Sequence, residues 1–107
     1  MSEFAKTPQP PYYAVIFSSQ MRDMDGYQEM ADKMEELASV QKGFLGLESA
    51  RNSEMGMTVS YWESKEAIQA WKAHAEHKLA QQLGCQKWYE AFAIRVCKVE
   101  RDHFFER

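Results

Sequence analysis

Gly43-Phe-Leu-Gly-Leu-Glu-Ser-Ala-Arg51 is followed by Asn52-Ser-Glu-Met-Gly56, by Met57-Thr-Val-Ser-Tyr-Trp62, and by Glu63-Ser-Lys-Glu-Ala-Ile-Gln-Ala-Trp-Lys-Ala-His-Ala-Glu-His77. The first and third pieces are rich in β-branched, aromatic and aliphatic residues, and the polar piece between them ends in glycine. That pattern predicts a hairpin of two strands, Phe44–Arg51 and Met57–Trp62. In the last piece Ser64 can cap a helix that carries Ala67, Ile68, Trp71, Ala75 and Leu79 on one face. Gly84 is a natural residue just past its end. Strand, turn, strand and helix follow with almost no spare residues, and the helix bears Trp71, His74 and His77.

Working outward, Tyr12–Ser18 reads as a strand that is apolar on both faces, a sign of cover on both sides. Met24–Val40 reads as a helix. Asp25 and Gln28 stand at capping-box spacing, and Tyr27, Met30, Met34, Leu37 and Ala38 form an apolar stripe suited to core packing. Lys42-Gly43 closes it. Trp88–Val99 is the last strand, preceded by a short helical turn around residues 86–89. It alternates Phe92, Ile94 and Val96 with Ala93, Cys97 and Val99, interrupted by Arg95.

The order is β-α-β-β-α-β, so the predicted fold class is α+β: a ferredoxin-like protomer whose four-stranded antiparallel sheet carries helices on one face. Helices cover one face only, and the other also wants burial, which predicts a homodimer pairing two sheets face to face. Residues 1–11 hold the prolines Pro8, Pro10 and Pro11 and no periodic pattern, and read as a flexible arm. Residues 12–101 form a single domain, and 102–107 a tail that carries Phe104 and Phe105.

The 107 residues suffice for one domain, and the 13% aromatic share suggests an apolar pocket or an interface. Thirteen basic and 16 acidic residues are interspersed, with no basic run able to track a phosphate backbone, so no nucleic-acid partner is expected. No apolar run approaches the roughly 20 residues that span a bilayer, and no basic segment precedes an apolar one at the N-terminus. The expectation is a soluble cytoplasmic protein without a membrane partner. Cys85 and Cys97 lie in no metal-binding spacing and read as reduced thiols, Cys97 as core packing.

Gly43-Phe44-Leu45-Gly46-Leu47-Glu48, Thr58-Val59-Ser60-Tyr61-Trp62-Glu63-Ser64, Glu66-Ala67 and Ala70-Trp71 resemble the antibiotic biosynthesis monooxygenase (ABM) domain. The resemblance covers about Tyr12 to Val99. It implies a dimeric α+β barrel and one of three functions. The first is a cofactor-independent monooxygenase acting on a small aromatic or quinol-like molecule. The second is a haem-binding, haem-degrading monooxygenase. The third is a non-catalytic dimer that binds a small ligand or a partner. Fold analogy alone does not choose among them.

Trp71 matches the second-helix tryptophan that lines the pocket in both enzyme branches; the plainer reading is a core residue. His74 and His77, three apart on the helix, could act as general base or substrate orienter, or could sit on a solvated face. The haem-degrading branch places its iron-binding His ten residues after the tryptophan, where this chain has Gln81, and an Asn in its first strand, which Tyr12–Phe17 does not supply. Haem would therefore fall to His77 as ligand. The quinol-oxidising branch needs no metal or flavin, because the substrate anion is itself the electron source. Its pocket parts would come from Trp71, Tyr61, Trp62 and Arg95, with His74 and His77 as the catalytic pair. Tyr61 and Trp62 point to opposite strand faces, so one at most faces a pocket. Arg95 would pair with an acid across the dimer or hold an anionic substrate, and Glu48 reads as a solvated or dimer-rim carboxylate.

Overall fold

Asn52 closes the hairpin. Its side-chain carbonyl accepts bonds from the backbone N–H groups of Glu54 (2.8 Å) and Met55 (2.9 Å), and its own N–H donates to the Met55 carbonyl at 3.0 Å. An Asn that folds back on the next residues in this way sets a tight turn. The structure, a computed structural model, describes residues 4–81 and 87–107, with the backbone alone described at 77–81.

The described elements are β1 (Tyr12–Met21), α1 (Tyr27–Ser39), β2 (Phe44–Arg51), β3 (Gly56–Trp62), α2 (Lys65–Gln81) and β4 (Tyr89–Val99). The strands form one antiparallel sheet in the order β2-β3-β1-β4, the ferredoxin-like arrangement. No described helix is long and apolar enough to cross a membrane.

Cross-strand partners share a face, so the register sorts every strand residue. Tyr13, Val15, Phe17 and Ser19 stand with Trp62, Ser60, Thr58 and Gly56 of β3 and with Lys98, Val96, Ile94 and Phe92 of β4. Trp62 stacks on Trp71 of α2 at 6.1 Å, so this is the helix side. Ala14, Ile16 and Ser18 share the far side with Tyr61, Val59 and Met57 and with Cys97, Arg95 and Ala93.

Several expectations need correction. α1 begins at Tyr27, behind Gly26 in a left-handed conformation, with no side-chain cap. Gln28 instead reaches forward to Asp32, and Asp25 donates its N–H to the Asp23 carboxylate, so no capping box forms. The far end of α1 agrees with expectation: the last helical residue is Ser39 and Val40 is the C-cap, ahead of Lys42-Gly43. Gly43 opens β2 at φ +87°, where a Cβ would stand 2.7 Å from the Ala67 Cβ; the glycine lets β2 pass under α2. β1 runs three residues beyond Ser18. Trp88 precedes the last strand in a short helical turn, and its buried indole donates to the Asp25 carbonyl at 2.6 Å, plugging the β1–α1 connection. Cys97 is exposed rather than packed, because strand alternation turns it to the far side.

The Ser64 cap forms as expected, its hydroxyl accepting the Ala67 N–H at 3.1 Å. Met30, Ala38 and Ile68 are buried beneath the two helices. The expected end of α2 near Gly84, and Cys85, lie outside the described residues.

Candidate functional site

Strand parity divides the expected site residues. On the helix side, Trp62 is fully buried, its indole N–H donating to Ser60 Oγ at 2.9 Å. It stacks on Trp71, which is half-buried, and His74 follows with ring centroids 6.3 Å from Trp71. His74 is exposed. These three come together, Trp62 as the support behind Trp71. Tyr61 and Arg95 lie on the far side of the sheet, away from α2. The side chain of His77 lies outside the described residues.

The helices do not cover the helix side evenly. α1 packs mainly on β2 and α2 mainly on β3, which leaves an apolar strip, the open row of the edge strand β4 beside the half-buried Val15 and Phe17 of β1. Its floor is Val15, Phe17, Ile94 and Val96, with Ile94 and Val96 each 54% exposed and Phe92 46%. The exposed apolar row of β4 thus lies on the helix side, where expectation had put the unmet burial on the other face. One end of the strip is bounded by Trp62 and Trp71. At the other, Phe17, Tyr27, Tyr89 and Phe92 form an aromatic cluster with centroids 5.5–5.8 Å apart.

Arg51 stands at that second end. Its Nη2 donates to the buried Ser19 hydroxyl at 2.7 Å, and its guanidinium lies 5.5 Å from the centroid of the Tyr27 ring. Gly56, its cross-strand partner, makes the seat: a Cβ there would overlap the guanidinium. Arg51, Phe17, Tyr27 and Tyr89 did not enter the expected site. A usable signal existed, since an Arg opposite a Gly across a hairpin has room to lie flat on the sheet.

The far side is occupied at one end by the chain's own termini. Tyr12 donates to the Asp102 carboxylate at 2.6 Å and accepts from Thr7 at 3.0 Å. The Glu48 carboxylate accepts from Tyr61 (2.8 Å) and from the backbone N–H of Ala5 (3.0 Å), so it anchors the arm rather than facing solvent. Lys6 pairs with Glu106 at 2.6 Å, joining arm to tail beside an open depression of about 330 Å³ lined by Lys6, Thr7, Phe104 and Glu106. The arm crosses β2 at Gly46, where a Cβ would stand 2.7 Å from the Ala5 Cβ. The residues expected to form a flexible arm are therefore held at several points. Burial, and then the bond to Glu48, pushes the Tyr61 hydroxyl up to about 12. Burial and Asp102 raise Tyr12 likewise.

The haem alternative turns on His77, whose side chain lies outside the described residues. The position that the resemblance gives to the iron ligand holds the amide of Gln81, and β1 supplies no Asn. No group of three or more His, Cys, Asp or Glu able to hold a metal ion occurs among the described residues.

Residues 19–83 match the family model for antibiotic biosynthesis monooxygenase. The chain is 51% identical to YqjZ of Bacillus subtilis (strain 168), an uncharacterized protein, over 99% of this chain and 95% of that one. Among solved structures it is similar in fold to SnoaB, a cofactor-independent oxygenase from Streptomyces nogalater (TM-score 0.73, 8% identity, 87% of this chain and 97% of that one). It is also similar to protein SO0527 from Shewanella oneidensis (TM-score 0.71, 12% identity, 90% and 97% covered).

Proposed function

This chain belongs to the antibiotic biosynthesis monooxygenase family, and from that premise we infer that it is a cofactor-independent oxygenase acting on a small aromatic or quinol-like molecule. The observation that carries the reading is the open strip between the helices and the β1/β4 half of the sheet. A soluble domain leaves contiguous apolar residues this exposed chiefly where something binds. The strip offers an aliphatic floor for a planar ring and Trp71 as a wall, with His74 beside it.

The chemistry asks little of the protein. A quinol gives up a proton to become an electron-rich anion, and that anion passes an electron to oxygen. A base of near-neutral affinity serves the first step, and an imidazole has it. We assign that role to His74 or to His77, one helical turn away on α2. The far side of the sheet, with Ile16, Val59 and Met57 between the anchored termini, is where a second copy would pack to give the homodimer.

Oxygen consumption with naphthohydroquinones as substrates tests the reading. Turnover should fall at least about tenfold in His74→Ala or His77→Ala, and also in Trp71→Ala. Wild-type rates in all three variants would sink the mechanism. A saturable Soret shift at one haem per chain would replace it with the haem reading.

A further inference from the structure

We propose that Arg51 is the anion-holding residue of the strip: the ligand is a planar apolar molecule with an acidic oxygen group at the end that meets the Tyr27–Tyr89–Phe92 cluster. The proposal rests on the reading of the strip as the ligand surface. The cation expected to serve an anionic substrate, Arg95, is on the wrong side of the sheet for it.

Arg51 has the right position. It pairs with Gly56, and Gly56 pairs with Ser19 of β1, whose other neighbour on the same face is Phe92 of β4. The guanidinium therefore sits in the same sheet row as the aromatic end of the strip. Trp62 is six residues along β3 from Gly56, roughly 20 Å at the rise of a strand. A ring system lying on Phe17, Ile94 and Val96 would be bounded by Trp71 at one end and would meet Arg51 at the other.

Arg51 also has the right chemistry. A guanidinium carries five N–H donors in a planar fork suited to two oxygens at once. One donor goes to Ser19. Among the described residues no carboxylate lies within ion-pair distance of it. It lies instead near the Tyr27 ring and over the backbone at Gly56. An arginine held in place by a hydroxyl, an aromatic face and a glycine keeps donors for an anion and has lost the freedom that binding would otherwise cost. Arg51 is itself exposed, so an anion can reach the fork from solvent, and a bond between two charged groups is the stronger kind.

Two fluorescent probes share one frame: anilinonaphthalene sulfonate carries an anion, and phenylnaphthylamine does not. Titrated at low salt, the sulfonate should bind the wild-type chain at one site, and Arg51→Gln should weaken it about tenfold while changing the neutral probe less than about twofold. Arg51→Lys should fall between, since it keeps the charge and loses the fork. Lys98→Met, which alters a cation at the Tyr13 end of the same face, should leave both probes unchanged. Ile94→Ser should weaken both. Circular dichroism and the urea midpoint show that each variant is folded. Absence of saturable sulfonate binding would overturn the proposal. So would an unchanged sulfonate affinity in Arg51→Gln, an equal loss of the neutral probe there, or an equal loss of the sulfonate in Lys98→Met. Arg51-dependent binding without turnover of any quinol would sink the oxygenase reading alone. Quinol turnover indifferent to Arg51 would sink this assignment alone.

Discussion

Replacing Trp62 by Phe should cost the domain a large part of its stability. The indole is 0% exposed, stacks on Trp71 at 6.1 Å, meets the Phe44 ring edge-on at 5.4 Å and donates to Ser60 Oγ at 2.9 Å. Phenylalanine keeps one ring and removes three heavy atoms from a site with no solvent to fill the gap. At about 0.8 kcal/mol per buried carbon, that is roughly 2 kcal/mol. The lost N–H bond adds about 1 kcal/mol, because the Ser60 hydroxyl is itself buried and loses a donor. The sum, about 3 kcal/mol, compares with roughly 5–15 kcal/mol for a whole small domain. Urea unfolding followed by far-ultraviolet circular dichroism reads it: with a slope of about 1–3 kcal/mol/M the midpoint should drop by at least about 1 M. A double-mutant cycle with Ser60→Ala should return about 1 kcal/mol of coupling, and one with Trp71→Phe about 0.5–1.5 kcal/mol. A midpoint shift under about 0.2 M, or zero coupling to Trp71, would refute the placement of Trp62 as the support of Trp71.

Two further outcomes test other parts of the fold. Because the folded Tyr61 hydroxyl is raised to about 12, an unfolded chain loses that proton first as pH rises. The folded state then holds more protons, so stability is intact below pH 10 and declines from there towards about 12. Solvent screening at the half-buried hydroxyl limits the loss to about 1–2 kcal/mol. Tyr61→Phe should flatten urea midpoints across that window, and an unchanged slope would place the titrating group elsewhere. Gly43→Ala should lower the thermal midpoint by about 8 °C or more, since it forces an L-residue to φ +87° and into Ala67. A wild-type midpoint would show that β2 does not pass as close to α2 as described.

Element order was legible because the local signals agreed with the fold: Asn52 at the turn, Ser64 at the helix start, and apolar spacing in α1 and α2. Helix ends were less so. Asp25 has a capping residue's chemistry, yet its carbonyl is taken by Trp88, sixty-three residues away, a tertiary contact that no local pattern announces. Glu48 looked like a solvated carboxylate because its partners, Tyr61 and the backbone of Ala5, come from another strand and from the arm. Gly46 did carry a hint, since a glycine within a strand often marks a close backbone approach. The identity of the approaching segment was not in the local sequence.

The site shows the same division between what parity reveals and what packing decides. Parity alone separates Tyr61 from Trp62 and Arg95 from Ile94 and Val96, and it also puts Arg51 with Gly56 and Ser19. It does not say which face the helices take, nor how far they reach across it. That depends on Trp62 and Trp71 drawing α2 over β3, which leaves β4 bare. Once the helices stand there, the two arginines exchange significance. Arg95 faces the side where Glu48 and Asp102 already hold the arm and Tyr12, so an anionic ligand on that side would meet two carboxylates. Arg51 faces an apolar strip with no acid within ion-pair distance among the described residues. Arg51 is exposed there, and with no carboxylate competing for it, it attracts an anion more strongly than Arg95 would beside Glu48 and Asp102. The sheet's Glu48 thus serves the arm, while Arg51 is held on the open face.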